Sequence, residues 1–133
     1  MRGFGSACGS WIGGSLPNCL KDMQSLEVVL LSGNGLFGTI PFTAVYPNMI
    51  TLDLSSNKFS GEIPDAISDS SINSLDISNN RINGPLKFPN CKSDCSVSAS
   101  VNRLTGVFPA VNWKLYNLVD VMDGQNLYIT YFY

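Results

Sequence analysis

Apolar residues in this chain recur in one fixed frame, clearest in Leu52-Asp53-Leu54-Ser55-Ser56-Asn57-Lys58-Phe59-Ser60-Gly61-Glu62-Ile63-Pro64. With Asn57 as anchor, Met49, Leu52 and Leu54 lie eight, five and three residues before it. Phe59, Gly61 and Ile63 lie two, four and six after, followed by Pro64. The frame on Asn34 gives Leu26, Val29, Leu31, Leu36, Gly38, Ile40 and Pro41. On Asn80 it gives Ile72, Leu75, Ile77, Ile82, Gly84 and Leu86, with Lys87 in the place of proline. On Asn102 it gives Val97, Ala99, Leu104, Gly106, Phe108 and Pro109, with Asp94 where an apolar residue belongs. The anchors step by 23, 23 and 22 residues, a spacing that marks a stack of structural repeats.

Each frame predicts the same elements. Val28 to Leu31, Thr51 to Leu54, Ser74 to Ile77 and, more weakly, Ser96 to Ala99 alternate apolar and polar residues with period two, as half-buried strands do. Stacked units place these strands side by side, about 4.8 Å apart, in one parallel sheet. After each strand the chain turns inward and would leave backbone groups buried without partners. An asparagine amide both donates and accepts, so Asn34, Asn57, Asn80 and Asn102 can form a ladder from turn to turn. The glycine four residues later suits a tight turn, and the residue after the anchor, Lys58 in the central unit, falls on a loop surface. Ile12, Gly14, Leu16 and Pro17 match the second half of a frame anchored on Ser10, and Pro17, Leu20, Met23 and Leu26 follow at three-residue steps that suit a short helical or 3₁₀ segment.

The whole chain, 1–133, thus reads as one array: a half repeat at 10–25, full repeats at about 26–48, 49–71, 72–93 and 94–115, and a frayed unit at 116–133. In the last unit, anchoring on Asn126 keeps Leu118, Val121 and Tyr128 in apolar places but buries Asp123. Anchoring on Gly124 buries Val119 and Val121 and loses the asparagine. Both frames stay open. The segment Leu127-Tyr128-Ile129-Thr130-Tyr131-Phe132-Tyr133 is β-prone and uncharged, like a sheet edge that is normally covered. With no polar cap in view, the chain reads as a fragment of a longer array, expected to self-associate when alone.

The segments 52–64 and Leu31-Ser32-Gly33-Asn34-Gly35-Leu36-Phe37-Gly38-Thr39-Ile40-Pro41 resemble the plant-type leucine-rich repeat, whose signature ends in Leu-x-Gly-x-Ile-Pro. The resemblance spans roughly residues 10–110. It implies an α/β solenoid with a parallel β-sheet on the concave face, short helical, 3₁₀ or irregular convex segments, and a second set of short strands near the Gly-x-Ile-Pro segments. It also implies a protein or peptide recognition module from a receptor-like protein of the cell surface. A secreted inhibitor of a cell-wall hydrolase is the alternative, with a cell-wall glycan or the hydrolase as partner, and an enzyme is remote. The chain departs from the family in having no kinase segment, no cysteine-pair cap ahead of the repeats and no Asn-x-Ser/Thr glycosylation acceptor.

Composition narrows the partners. A net charge of −2 provides no basic field for phosphate backbones, which argues against nucleic acid. No run approaches the roughly 18 apolar residues of a membrane-spanning helix, so this segment does not itself insert. Histidine is absent and the four cysteines, at 8, 19, 91 and 95, lack zinc-finger spacing; neither a metal nor a cofactor is expected. Cys91 and Cys95 are either a short-range disulfide or two small buried apolar residues.

Candidate chemistry lies in the outward-facing rows. Four residues before the anchors stand Leu30, Asp53, Asp76 and Ser98; two before stand Ser32, Ser55, Ser78 and Ser100. Asp53 and Asp76 on adjoining strands would lie about 5 Å apart, the carboxyl separation of a retaining glycosidase. No third group or deep cleft accompanies them, and aspartate and serine are common in these places, so catalysis is not expected. Asp53, Ser55, Asp76, Ser78 and Ser98 instead form a candidate binding surface, polar and mildly acidic, for a basic or hydroxyl-rich ligand. Trp11 and Trp113 lie outside the strands and read as packing residues.

Overall fold

The structure, a computed structural model, describes residues 14, 16, 25–41, 48–91 and 94–106, with residue 107 and the strands 116–119 and 127–129 described as backbone. Cys8, Trp11, Cys19, Trp113 and the three-residue periodicity from Pro17 to Met23 lie outside the described residues.

Two parallel sheets carry the fold. In the first, strands β1 (Val28–Leu30), β3 (Thr51–Asp53), β5 (Ser74–Asp76), β7 (Cys95–Ser98) and β9 (Tyr116–Val119) lie in sequence order. In the second, β2 (Phe37–Thr39), β4 (Lys58–Glu62), β6 (Arg81–Gly84), β8 (Arg103–Val107) and β10 (Leu127–Ile129) do the same. One helix, α1 (Asp65–Asp69), is present among the described residues; Pro64 stands at its N-cap and Ile67 faces the core. The result is a parallel β-solenoid built mostly of strands.

The core is the set of apolar frame positions stacked into columns. Val29, Leu52, Leu75 and Val97 form one, Leu31, Leu54, Ile77 and Ala99 a second, and Leu36, Phe59, Ile82 and Leu104 a third, all buried. Leu16, Ile40, Ile63 and Leu86 close the side beyond the second sheet. Leu16 extends that column, and the Phe37 N–H donates to the Gly14 carbonyl at 3.1 Å. No single repeat can bury such a row alone, so each depends on its neighbours.

The sheets differ in register. In the first, equivalent frame positions face each other: Val29 opposite Leu52, Leu52 opposite Leu75, Leu75 opposite Val97. In the second, each strand is displaced by two residues, so that Ser60 is opposite Arg81 and Gly61 opposite Ile82. The frame glycine lies inside the second strand or at its end, in contrast to the tight turn expected. Gly38, Gly61, Gly84 and Gly106 have φ between 75° and 88°, a region that side chains rarely adopt. Lys58 likewise opens strand β4 and does not sit on a loop.

The last unit resolves into halves with different frames. Leu118 lies opposite Val97, which makes Asp123 the equivalent of the anchor for β9. Tyr128 lies opposite Gly106, which with the two-residue stagger makes Asn126 the equivalent anchor for β10. The link between these strands, 120–126, is three residues longer than its counterpart 99–102, so no single frame fits the whole unit. The Gly124 frame fits neither strand.

At the start of the fourth repeat, Asp94 is exposed with φ of 49°. Cys91 and Cys95 are buried beside it and joined by a disulfide with a Cα–Cα distance of 5.9 Å.

Candidate functional site

Between the two sheets the chain turns through a left-handed residue immediately before each anchor. Gly33, Ser56, Asn79 and Val101 have φ of 70°, 55°, 55° and 55°. Asn57 and Asn102 are buried, Asn80 is half-buried and Asn34 is exposed. Asn57 Oδ1 accepts from the N–H groups of Asn34 and Leu36, both at 3.0 Å, in the preceding turn. Its Nδ2 donates back to the Leu31 carbonyl at 2.9 Å and, within its own turn, to Leu54 and Ser55. Asn80 bonds the Phe59 N–H and the Leu54 carbonyl in the same manner, and Asn102 the Ile82 N–H and the Ile77 carbonyl. Asn34 Nδ2 donates within its own turn, to Leu31 and Ser32. The amides of Asn57, Asn80 and Asn102 thus satisfy buried and part-buried backbone groups where the first sheet has ended and the second has not begun.

The outward rows of the first sheet rest on this scaffold. Leu30, Asp53, Asp76 and Ser98 occupy one row across β1, β3, β5 and β7, with Leu30 paired to Asp53, Asp53 to Asp76 and Asp76 to Ser98. Strand spacing puts the two aspartates about 4.8 Å apart at the backbone. Asp53 and Asp76 are half-exposed. Leu30 is 53% exposed, so the acidic pair is flanked by an apolar side chain on one side and a hydroxyl on the other.

Ser55 and Ser78 are turned onto the carboxylates. The Ser55 hydroxyl donates to Asp53 Oδ1 at 2.7 Å and its backbone N–H to the same oxygen at 3.0 Å. Ser78 does the same to Asp76 Oδ1, at 2.6 and 3.0 Å. Both serines are buried. They fix the rotamers of the aspartates and occupy one oxygen of each, and the second oxygen, Oδ2, has no hydrogen bond among the described residues. Each aspartate therefore presents one oriented, unoccupied acceptor.

A second charged group lies at the far end of the second sheet. Lys87, in the place of proline, sends its ammonium to the Ile63 carbonyl at 2.6 Å, Asp65 at 2.8 Å and Glu62 at 4.0 Å. The hydrogen bond from Lys87, and then its charge, hold the Asp65 carboxyl below the usual carboxylate range. This lysine ties one turn to the next where proline is missing.

Among the described residues no group of three or more His, Cys, Asp or Glu side chains is placed to hold a metal, and no helix is long and apolar enough to cross a membrane. Sequence reasoning placed the aspartates in one row. It did not foresee that Ser55 and Ser78 would be spent on orienting them, although an aspartate two residues before a serine is the pattern of an Asx turn.

Residues 48–70 match the family model described as Leucine Rich Repeat. The match covers one repeat unit, the one anchored on Asn57. Among solved structures the chain is similar to "Plant peptide hormone receptor RGFR1 in complex with RGF2", with a TM-score of 0.55 and 22% identity over 89% of this chain. The similarity covers 23% of that chain, so this sequence spans about a quarter of the receptor it matches. Comparison with curated proteins gives no match.

Proposed function

We propose that the chain is a recognition module of receptor-like type, binding a protein or peptide ligand on the exposed face of its first sheet. The observation that carries this reading is the row Leu30, Asp53, Asp76 and Ser98, in which two carboxylates are pre-oriented by buried serines with one oxygen of each left open. Freezing those rotamers in advance lowers the entropic cost of binding a cation. Such a row suits a basic side chain against Asp53 and Asp76 with an apolar neighbour against Leu30. The likeness in fold to a receptor that was solved with a peptide hormone favours a peptide over other ligands. The two carboxylates are half-exposed on a sheet face, with the Leu30 side chain and the Ser98 hydroxyl beside them, which favours binding over catalysis.

The test is binding of a panel of peptides, each with one arginine beside a leucine, to the wild type and to Asp53→Asn with Asp76→Asn. Asparagine keeps an acceptor for the serines but removes the charge. Two exposed charge contacts are worth about 1–1.5 kcal/mol together, so the double variant should bind about tenfold more weakly at low salt. The deficit should shrink at high salt, and the melting temperature should stay level or rise slightly. Unchanged affinity at both ionic strengths would mean that the row is solvated surface.

A further inference from the structure

The residues that follow the anchors are Gly35, Lys58, Arg81 and Arg103, and the last three open strands β4, β6 and β8. All three are exposed, whereas the next residues, Phe59, Ile82 and Leu104, are buried. The basic side chains therefore share the outward face of the second sheet. The stagger of that sheet puts Arg81 opposite Ser60 and Arg103 opposite Asn83, so the row slants across the strands. Combining a strand separation of about 4.8 Å with two residues of rise at about 3.3 Å each places successive charges roughly 8 Å apart at the backbone. Ser60, Asn83 and Thr105 stand exposed between them and offer hydrogen bonds. The carboxylate of this face, Glu62, is at the other end of β4, 4.0 Å from the Lys87 ammonium. Among the described residues none of Lys58, Arg81 and Arg103 has an ion-pair partner.

We propose that this face is a second docking surface, which takes an extended acidic segment of a partner protein with carboxylates at every second residue. In an extended chain, alternate side chains share one face and are spaced by about 6.6 Å. The flexible lysine and arginine stems take up the remaining offset, and the guanidinium groups can grip carboxylates through paired N–H donors. Three charges at this spacing are far sparser than the phosphates of a duplex, about one per 1.7 Å of axis, so a nucleic acid is a poor match. The proposal is independent of the first sheet, whose open acceptors call for the opposite charge.

The experiment is fluorescence anisotropy of a labelled decapeptide of alternating glutamate and serine with the full 133-residue chain, in low and in moderate salt. Expected is binding that weakens with salt and falls at least tenfold on replacing Lys58→Gln, Arg81→Gln and Arg103→Gln together. The charge-retaining set Lys58→Arg, Arg81→Lys and Arg103→Lys should bind more weakly than wild type where paired donors are lost but at least about threefold more tightly than the glutamine set, which separates lost charge from lost fold. Asp53→Asn with Asp76→Asn should leave this peptide's affinity level or tighter, so failure here and failure of the first-sheet reading are distinguishable. The proposal is overturned if the wild type does not bind the peptide in low salt, or if the glutamine set binds as well as wild type. It is also overturned if a peptide with its glutamates in one block binds as tightly, or if oligogalacturonate displaces the peptide at lower concentration than unlabelled peptide does, which would make the row a glycan site.

Discussion

The two sheets are built from the same repeats, yet they are held and charged differently. Strands of the first pair position for position and present a row of oriented carboxylates. Strands of the second are displaced by two residues; β2, β4, β6 and β8 contain a glycine of positive φ, and β4, β6 and β8 expose a basic row. The ladder of Asn57, Asn80 and Asn102 separates the two regimes, because its amides take up the backbone groups that neither register can pair. One scaffold thereby carries two rows of opposite charge, Asp53 and Asp76 on the first sheet and Lys58, Arg81 and Arg103 on the second.

The ladder is where this contrast breaks most easily. Asn57→Ala leaves two N–H groups and the Leu31 carbonyl in need of partners, and an unsatisfied buried group costs about 1–3 kcal/mol. We expect a loss of about 3 kcal/mol in urea melts, whereas Lys58→Ala, one residue on and exposed, should stay within about 0.5 kcal/mol. Equal effects would remove the ladder from the account.

The next largest effect separates the sheets themselves. A Cβ at Gly84 would stand 2.6 Å from Glu62 Cγ, in a backbone with φ of 75°. Gly84→Ala should cost about 1–3 kcal/mol, and adding Glu62→Ala should recover the part due to contact but not the part due to φ. Ser74→Ala in β5 of the first sheet should change stability by no more than about 0.5 kcal/mol. Full recovery in the double variant would show that strain in the second sheet is unimportant.

How much of this is legible in the sequence follows from what each residue type reports. Leu52, Leu54, Phe59 and Ile63 are legible as core because burial demands apolar side chains at fixed intervals, and Asn57 because few other side chains can both donate and accept in a buried turn. The stagger of the second sheet is not, since Gly61 and Gly84 sit in or at the end of its strands with positive φ and glycine is equally at home in a turn. The frame of the last unit is hidden for another reason: Leu118 and Tyr128 obey different anchors because the intervening link is longer. The aspartate row is legible from period two, but the hydrogen bonds from Ser55 and Ser78 depend on rotamers that spacing does not encode.

A smaller effect sharpens the picture of the turn between the sheets. Val101 holds φ of 55° where the other repeats have glycine, serine and asparagine, and a β-branched residue is strained there. Val101→Asn should stabilise by about 1 kcal/mol, read as a higher melting temperature. A loss would mean that the side chain contributes packing that outweighs the strain.

The smallest effect concerns Asp65. Its carboxyl titrates below the ordinary value of 3.8 in the folded chain because of Lys87, so the pair contributes stability above about pH 4 and loses it as pH falls through the lower folded value. With Asp65 on the surface, Asp65→Asn should be nearly silent at neutral pH and slightly flatten the acid limb of the stability profile. A steeper acid limb in the variant would contradict the assignment.

The most direct test of the central claim, that the first sheet is the recognition face for cationic ligands, is a titration of the isotope-labelled chain with an arginine-leucine peptide followed by NMR. The account predicts that the side-chain carboxyl signals of Asp53 and Asp76 and the amides of β3 and β5 shift together with one saturation curve, while the amides of Arg81 and Arg103 stay in place. Shifts confined to the second sheet, with Asp53 and Asp76 unmoved, would contradict it.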